Sequence, residues 1–259
     1  MIRRIYRRLQ LLMLKCLSNS MAGLIGKHEC NICKKTVCGF VEGGIDSPLF
    51  KKKHIIGGGL RVDCICPLCK SLDRTRWCYY VLLHYTTLLS EACTVLHFAP
   101  EKVLVDLIEK NNDCDYYTAD INPAKAKYQV DITDIQFDDT MFDYVIVNHV
   151  LEHIPDESKA IHELKRVLKD DGKIIMSFPV CNDIDETLED SAVKTPAERL
   201  EKFGQEDHVR LYGRDAKKRL EGYGFAVKQL SPKDVLSGAE IERYGLIPDD
   251  IMFVCEKKY

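Results

Sequence analysis

Two groups of side chains in this sequence have types and spacings that can do chemistry. The first is a pair of knuckles, Cys30-Asn-Ile-Cys33 and Cys66-Pro-Leu-Cys69. Each C-x-x-C places two thiolates on one side of a tight turn, and two such turns complete a closed tetrahedral site, the form typical of structural zinc. Gly43, Gly44, the Gly57–Gly59 run and a strand-like patch at Leu60–Cys66 lie between them. That is the make-up of a small ribbon that relies on its metal to fold. Cys38 and Cys64 leave the ligand set open, and His28 or His54 could replace a thiolate. A redox C-x-x-C opens a helix after a strand, which two tandem pairs do not suggest. The glycine run reads as a flexible turn and not as a phosphate loop, because no helical pattern follows it.

The second group stands in FDYVIVNHVLEHIPD, Phe142 to Asp156. Phe142, Val145, Ile146 and Val147 form an apolar run of strand length, as expected of a strand covered on both faces. Asn148 and His149 end it, and open α/β sheets bind ligands at the carboxyl ends of their strands. His149-Val-Leu-Glu152-His153 also fits H-x-x-E-H, an inverted zinc-protease signature with two chelating histidines and a glutamate base. A protease would carry that motif within a longer helix, so a metal-dependent hydrolase is only an alternative reading.

The surrounding elements are those that must position these groups. Thr94–Phe98 reads as a first strand and Glu101–Lys110 as a helix with Val103, Leu104, Leu107 and Ile108 on one face. Tyr116–Ala119 is a second strand ending in Asp120. An acidic residue roughly 20 positions past the first strand grips a ribose in nucleotide-binding α/β folds. Asp131 marks a third strand tip, with a turn cap as its other reading. A helix carrying Ala160, Ile161, Leu164, Val167 and Leu168 stops at Asp171-Gly172, and Lys173–Val180 follows as a fifth strand. Gly224–Leu230 and Ile251–Glu256 form a closing pair that brings one antiparallel strand. The alternation predicts a doubly wound α/β sheet.

From Thr94 to Lys257 the chain resembles class I S-adenosylmethionine-dependent methyltransferases of the type 11 kind. The FDYVIVNHVLEHIPD stretch, ELKRVLKDDG at Glu163–Gly172 and the strand KIIMSFP carry the resemblance. LHFAPE at Leu96–Glu101 and FGQEDHVRLYG at Phe203–Gly213 are similar to a narrower group with a zinc-ribbon leader, often found with glycan or polysaccharide pathways. The resemblance implies a seven-stranded, mostly parallel, Rossmann-like sheet and S-adenosylmethionine as cofactor. It places His97, Ala99, Glu101, Asp120, Asp131, Asn148 and His149 at that cofactor: Asp120 at the ribose, Asp131 near the adenine, and Asn148 and His149 beside the methionine and methyl. Ala99-Pro100 stands where a glycine-rich loop is usual.

Methylating a hydroxyl needs a base, and His149 and His208 are the candidates. Arg210 and Tyr212 in the same long loop would orient an anionic or sugar-like acceptor, or only tie the loop down. Arg74 and Arg76 would bind an acidic substrate or merely solvate the helix that begins near Trp77. Asp183–Asp190 reads as an acidic, mobile lid. Some methyltransferases hold a divalent ion through E-x-x-E-H and a distant histidine; His149, Glu152, His153 and His208 would be the counterpart, against a simple hydrogen-bonding pair of Glu152 and His153. A third class is a non-catalytic scaffold on a degenerate fold.

The partition expected is a basic amphipathic leader at 1–27, a zinc ribbon at 28–70, a connecting helix at 71–92 and the methyltransferase-like domain at 93–259. Arg3, Arg4, Arg7, Arg8 and Lys15 intersperse with apolar residues in the leader. Such a helix suits peripheral contact with a membrane surface through residues 1–17, or packing on its own domain or a partner. Twelve cysteines among 259 residues without an export signal point to the cytoplasm and to metal instead of disulfides. The net charge of −3 gives no reason to expect nucleic acid. The acceptor is expected to be a small molecule or glycan.

Overall fold

The computed structural model describes residues 2–110 and 113–258. Met1 and Tyr259, the ends of the expected leader and domain, lie outside the described residues. Seven strands form one sheet: β1 (Cys93–Phe98), β2 (Cys114–Asp120), β3 (Tyr128–Gln129), β4 (Phe142–Asn148), β5 (Leu168–Ser177), β6 (Phe225–Leu230) and β7 (Met252–Lys257). Their order is β6-β7-β5-β4-β1-β2-β3. β7 runs antiparallel to both neighbours, and the remaining pairs are parallel. This is the doubly wound sheet the sequence predicts, with the chain reversing direction across it between β1 and β4.

Alternation along the strands builds a core on each face. Leu96 and Phe98 of β1, Val145 and Val147 of β4, and Ile174 and Met176 of β5 join one buried cluster with α4 (Glu157–Val167) and α5 (Ala216–Gly222). The intervening Val95, Tyr144, Ile146 and Ile175 join the other with α2 (Asp73–Tyr85) and α3 (Lys102–Ile108). β5 differs from its expected bounds at both ends. Leu168 already pairs with Phe142, and the ladder resumes at Lys173 opposite Tyr144 after an irregularity. Gly172 makes this approach feasible: a Cβ there would lie 2.8 Å from the Leu168 side chain and 3.0 Å from the Asp143 carbonyl. Val180-Cys181 leaves the sheet and pairs antiparallel with Ile55-Ile56 of the ribbon segment.

The ribbon comprises two antiparallel pairs, His28–Cys30 with Lys35–Val37 and Val41–Gly44 with Leu60–Ile65. Both knuckles fold alike. Lys34 N–H donates to the Cys30 carbonyl at 2.8 Å, and Lys70 N–H to that of Cys66 at 3.0 Å. Lys34 and Lys70 adopt φ of 57° and 68°, a region that costs a non-glycine residue about 1–2 kcal/mol. The four sulfurs of Cys30, Cys33, Cys66 and Cys69 lie within 4.8 Å of one another. These four are the cysteines that the fold gathers into one cluster. Cys64 instead bonds Asp73, His28 reaches the Glu242 carbonyl, and exposed His54 pairs with Asp183. The apolar cluster around the cysteines is small, so the fit to a structural zinc ribbon has an energetic reason.

α1 (Ile2–Ile25) lies on the ribbon. Its Arg3 pairs with Glu42 and Asp46, and Ser18 Oγ accepts from Cys38 N–H at 3.0 Å.

Arg76 fastens the ribbon to the sheet domain. Fully buried, it donates to five carbonyls, those of Asp63, Cys64, Ser71, Tyr244 and Gly245, and lies 3.9 Å over the Phe40 ring. Both sequence readings of Arg76, substrate binding and solvated cap, give way to this buried clamp.

Candidate active site at the β4 tip

Two clefts meet at the carboxyl end of β4. The larger, of about 730 Å³, is lined by Phe98, Ala99, Asp120, Ile121, Val130, Asp131 and Ile132 on one side and by His149, Val150, His153 and Asp207 on the other. The smaller, of about 270 Å³, shares His149, His153 and Asp207. Gly57–Gly59, Arg61 and Arg74 from the ribbon side and Glu152 and His208 from the sheet side complete it. The glycine run read as a flexible turn is therefore a wall of this pocket. A Cβ on Gly57 would lie 3.2 Å from the Asp250 carboxylate and 3.7 Å from the His149 ring.

In the larger cleft Asp120 is buried at the end of β2, with one carboxylate oxygen accepting from Asn122 N–H at 2.8 Å. Asp131 Oδ1 accepts from Thr133 N–H and Oγ1 at 2.8 Å each, so Asp131 caps its turn and lines the cleft as well. Ala99 and His149, the residues that leave β1 and β4, adopt φ of 47° and 54°. Strained backbone of this kind clusters at functional sites. Alanine thus takes the turn usually given to glycine, anchored by its N–H to the Ala119 carbonyl at 2.8 Å.

His97, Glu101 and Asn148 do not line the cleft. They form a polar row across the strand ends. Tyr116 Oη is 2.7 Å from His97 Nδ1, His97 Nε2 is 2.9 Å from Glu101, and Asn148 Nδ2 lies 3.4 Å from Glu101 and accepts through Oδ1 from Ser177 Oγ at 3.0 Å. Burial opposes ionisation of Glu101, but His97 and Arg74 outweigh it and hold its pKa below the usual carboxylate value. These three residues position the strand tips and the β1 loop; the sequence placed them against the cofactor.

In the smaller pocket His149 Nδ1 lies 3.1 Å from Glu152 Oε1. His149 Nε2, Glu152 Oε2 and Arg74 Nε are buried without a protein partner, and all three side chains line this pocket. Unpaired buried polar atoms are rare and costly. Burial pushes Glu152 up to about 8, and burial with Arg74 and Arg61 nearby pushes His149 well below its ordinary value. Burial and the neighbouring His153 take His208 down to about 4. The imidazoles of His149 and His208 are thus neutral at neutral pH.

Arg210 and Tyr212 reach neither cleft. Buried Arg210 donates to the carbonyls of Leu151, Ile154 and Pro155 and to Glu189. Tyr212 donates to Glu157 and stacks on Phe178 at 3.7 Å. The acceptor role read for them is corrected to one of holding the β4 loop. The acidic segment is likewise tied down: Asp183, Asp185, Glu189 and Asp190 pair with His54, Arg214, Arg210 and Lys202. The H-x-x-E-H motif makes only a single 3-10 turn, Leu151–His153, and its first histidine bonds the glutamate. That is not the two-histidine chelate of a long helix.

Residues 84–176 match the family model for a methyltransferase domain. The chain carries a methyltransferase domain. The match covers the tips of β1, β2 and β4 that frame the larger cleft. None of the curated proteins matches. Among solved structures, the [4+2]-cyclase SpnF is similar with a TM-score of 0.51 at 14% identity, over 71% of this chain and 81% of that one. The PH0226 protein of Pyrococcus horikoshii gives 0.47 at 18%, over 74% and 94%. A 1,6-didemethyltoxoflavin-N1-methyltransferase of Burkholderia thailandensis, solved with 1,6-didemethyltoxoflavin and S-adenosylhomocysteine, gives 0.46 at 10%, over 70% and 76%. At these identities the likeness is one of fold, and a fold that also serves a cyclase leaves the acceptor to be argued from the site.

Proposed function

We propose that this methyltransferase transfers a methyl group from S-adenosylmethionine to an oxygen of a small polar acceptor. The observation that carries the reading is the meeting of the two clefts at His149. The larger has the donor set for a nucleoside: a carboxylate at the β2 end for ribose hydroxyls, a second at Asp131, and Ile121, Ile132 and Val150 as aliphatic walls. Its volume is in the range of small-molecule sites. S-Adenosylmethionine, when bound, supplies an electrophilic methyl group.

The acceptor lies in the smaller pocket, with Arg74 facing its negative or polar end. His149 Nε2 takes the acceptor proton as the new bond forms, while Glu152 Oε1, 3.1 Å from Nδ1, accepts from Nδ1–H and fixes the tautomer. Positioning of this kind supplies most of the acceleration in a bimolecular displacement. The ribbon leader and the FGQEDHVRLYG stretch support a glycan-related acceptor. Zinc is the ion proposed for the cysteine cluster.

Calorimetric titration of S-adenosylmethionine into zinc-replete protein tests the cofactor site. Asp120→Ala is expected to weaken binding by at least ~10-fold, the loss of a charge-assisted hydrogen bond, with a melting curve showing that the variant is folded. No binding by folded wild type would overturn the reading. With an acceptor from a screen of sugars and hydroxy acids, His149→Ala is expected to lower kcat by about 10²–10⁴ with cofactor affinity retained.

α1 supports a peripheral membrane role as well. Its exposed face carries Ile5, Tyr6, Leu9, Leu12 and Met13, opposite the face on the ribbon, and exposed Arg4, Arg8 and Lys15 flank that stripe. No helix among the described residues is long and apolar enough to cross a membrane. The face fits an anionic lipid surface. Co-sedimentation with phosphatidylserine vesicles is expected to fall at least several-fold in Leu9→Ser/Leu12→Ser; equal binding by the variant would rule the role out.

A further inference from the structure

We propose that Glu152, His153 and His208 form a second metal site, separate from the cysteine cluster, for a divalent first-row transition ion. Its role, which rests on the methyl-transfer reading above, is to hold an oxygen of an anionic acceptor against His149.

One donor atom from each of the three residues lies within 4.8 Å of the others. Donors at ~2.1 Å from a common tetrahedral ion are ~3.4 Å apart, so side-chain shifts of about an ångström close the site. Glu152 and His208 are each 1% exposed. This is not a solvated charge cluster on a surface. Two imidazoles and one carboxylate suit manganese, iron, cobalt or zinc, and are a poor set for magnesium or calcium, which take oxygen.

Three further contacts point to a ligand. Glu152 Oε2 is buried with no protein partner, although Oε1 is held by His149. His153 Nδ1 faces Asp207, 3.3 Å from its carbonyl and 3.4 Å from its carboxylate, which fixes that proton and leaves Nε2 for a metal. The Phe203 carbonyl lies near the His208 ring. Histidine ligands are ordinarily oriented in this way, through the nitrogen that does not bind the ion. The two rings meet edge to face, with centroids 4.8 Å apart at 81°.

The donors come from one side, and the open side is the small pocket. Arg74 lines that pocket with its Nε unpartnered. A dication and a guanidinium in one partly enclosed volume call for a negatively charged occupant, with oxygen atoms to reach both. A hydroxy acid or an acidic sugar has that chemistry; a neutral amine does not.

The test is calorimetric titration of Co²⁺ into zinc-replete, full-length protein, with visible spectra of the same samples. One equivalent is expected, with weak nitrogen/oxygen-type cobalt bands and without the intense thiolate band of a cysteine site. Glu152→Gln and His208→Asn are each expected to weaken it at least ~100-fold, and Asp207→Asn, which only orients His153, about 10-fold. Melting curves show whether each variant is folded; if one is not, the other decides. No binding by wild type, undiminished binding by both variants, or a thiolate band would overturn the site. S-Adenosylmethionine titrated into wild type, Glu152→Gln and His208→Asn reads the cofactor site separately, since its cleft does not include Glu152 or His208.

Discussion

The cysteine cluster of the ribbon and the histidine–glutamate cluster at the β4 tip are built in opposite ways. The first takes four like ligands from two knuckles of one local module, and its four-cysteine set leaves no coordination position for a substrate. The second gathers donors from the turn after β4 and from a loop some 55 residues on, around a pocket that is open to a small molecule. A site that folds a module needs complete and symmetric ligation; a site that handles a substrate needs a vacant side and unpaired polar atoms. The two touch through the ribbon, because Gly57–Gly59 wall the smaller pocket and Arg76 clamps the ribbon to the sheet domain.

Breaking the closed cluster is expected to have the largest effect. Metal binding by such modules amounts to roughly 10–16 kcal/mol of folding free energy. Cys66→Ser, or removal of the metal by a chelator, should abolish the tightly bound zinc and expose residues 28–70 to limited proteolysis. A ribbon still protected without metal would remove the difference between the two clusters. Glu152→Gln should leave that protection untouched.

The neighbouring arginines sharpen the same contrast. Arg76→Met removes a donor from five carbonyls, of which that of Ser71 still has Cys66 N–H, and is expected to destabilise the protein by about 3–5 kcal/mol. Arg74→Met removes a side chain with no bonded partner for Nε, so denaturation should shift by less than ~0.5 kcal/mol while KM for the acceptor rises. Equal stability losses in urea titrations would mean that Arg74 is structural too.

Asp250 sits where the two regions meet, beside Gly57 and near Asp73, Arg61 and Arg74. Burial, with Asp73 adding to it, pushes its carboxyl from 3.8 up to about 7 against the pull of the two arginines. The folded protein therefore holds this proton more tightly than the unfolded chain. The associated stability is full below about pH 4 and is lost as pH rises through about 7, at most about 4 kcal/mol at ~1.4 kcal/mol per tenfold change in proton affinity. Asp250→Asn should match wild type near pH 4 and exceed it at pH 8. A constant difference across that range would show that the carboxyl is not buried neutral.

Much of this was legible in the chain. The strand-length segment Thr94–Phe98 and the apolar run ending at Asn148-His149 gave strands and their tips, because a strand covered on both faces leaves little choice of residue. Asp120 was legible from its distance to the first strand. Cys30, Cys33, Cys66 and Cys69 were legible because a knuckle is local: two cysteines and a turn carry their own geometry. The roof was not. Gly57–Gly59 carries no helical or strand pattern, and only the pairing of Ile55-Ile56 with Val180-Cys181 brings it over His149.

What the sequence determined by itself, then, is what short-range pattern encodes: the order of strands and helices, the two polar strand tips and the closed cysteine site. Tertiary structure decided which polar side chains are bonded and which are left with an unpaired buried atom. Arg74 and Arg76 are two residues apart in one helix, and Arg210 and His208 two apart in one loop. One of each pair is locked to backbone carbonyls, while the other faces the pocket. That division depends on elements distant in the chain, whose carbonyls satisfy one side chain and leave the other for a ligand.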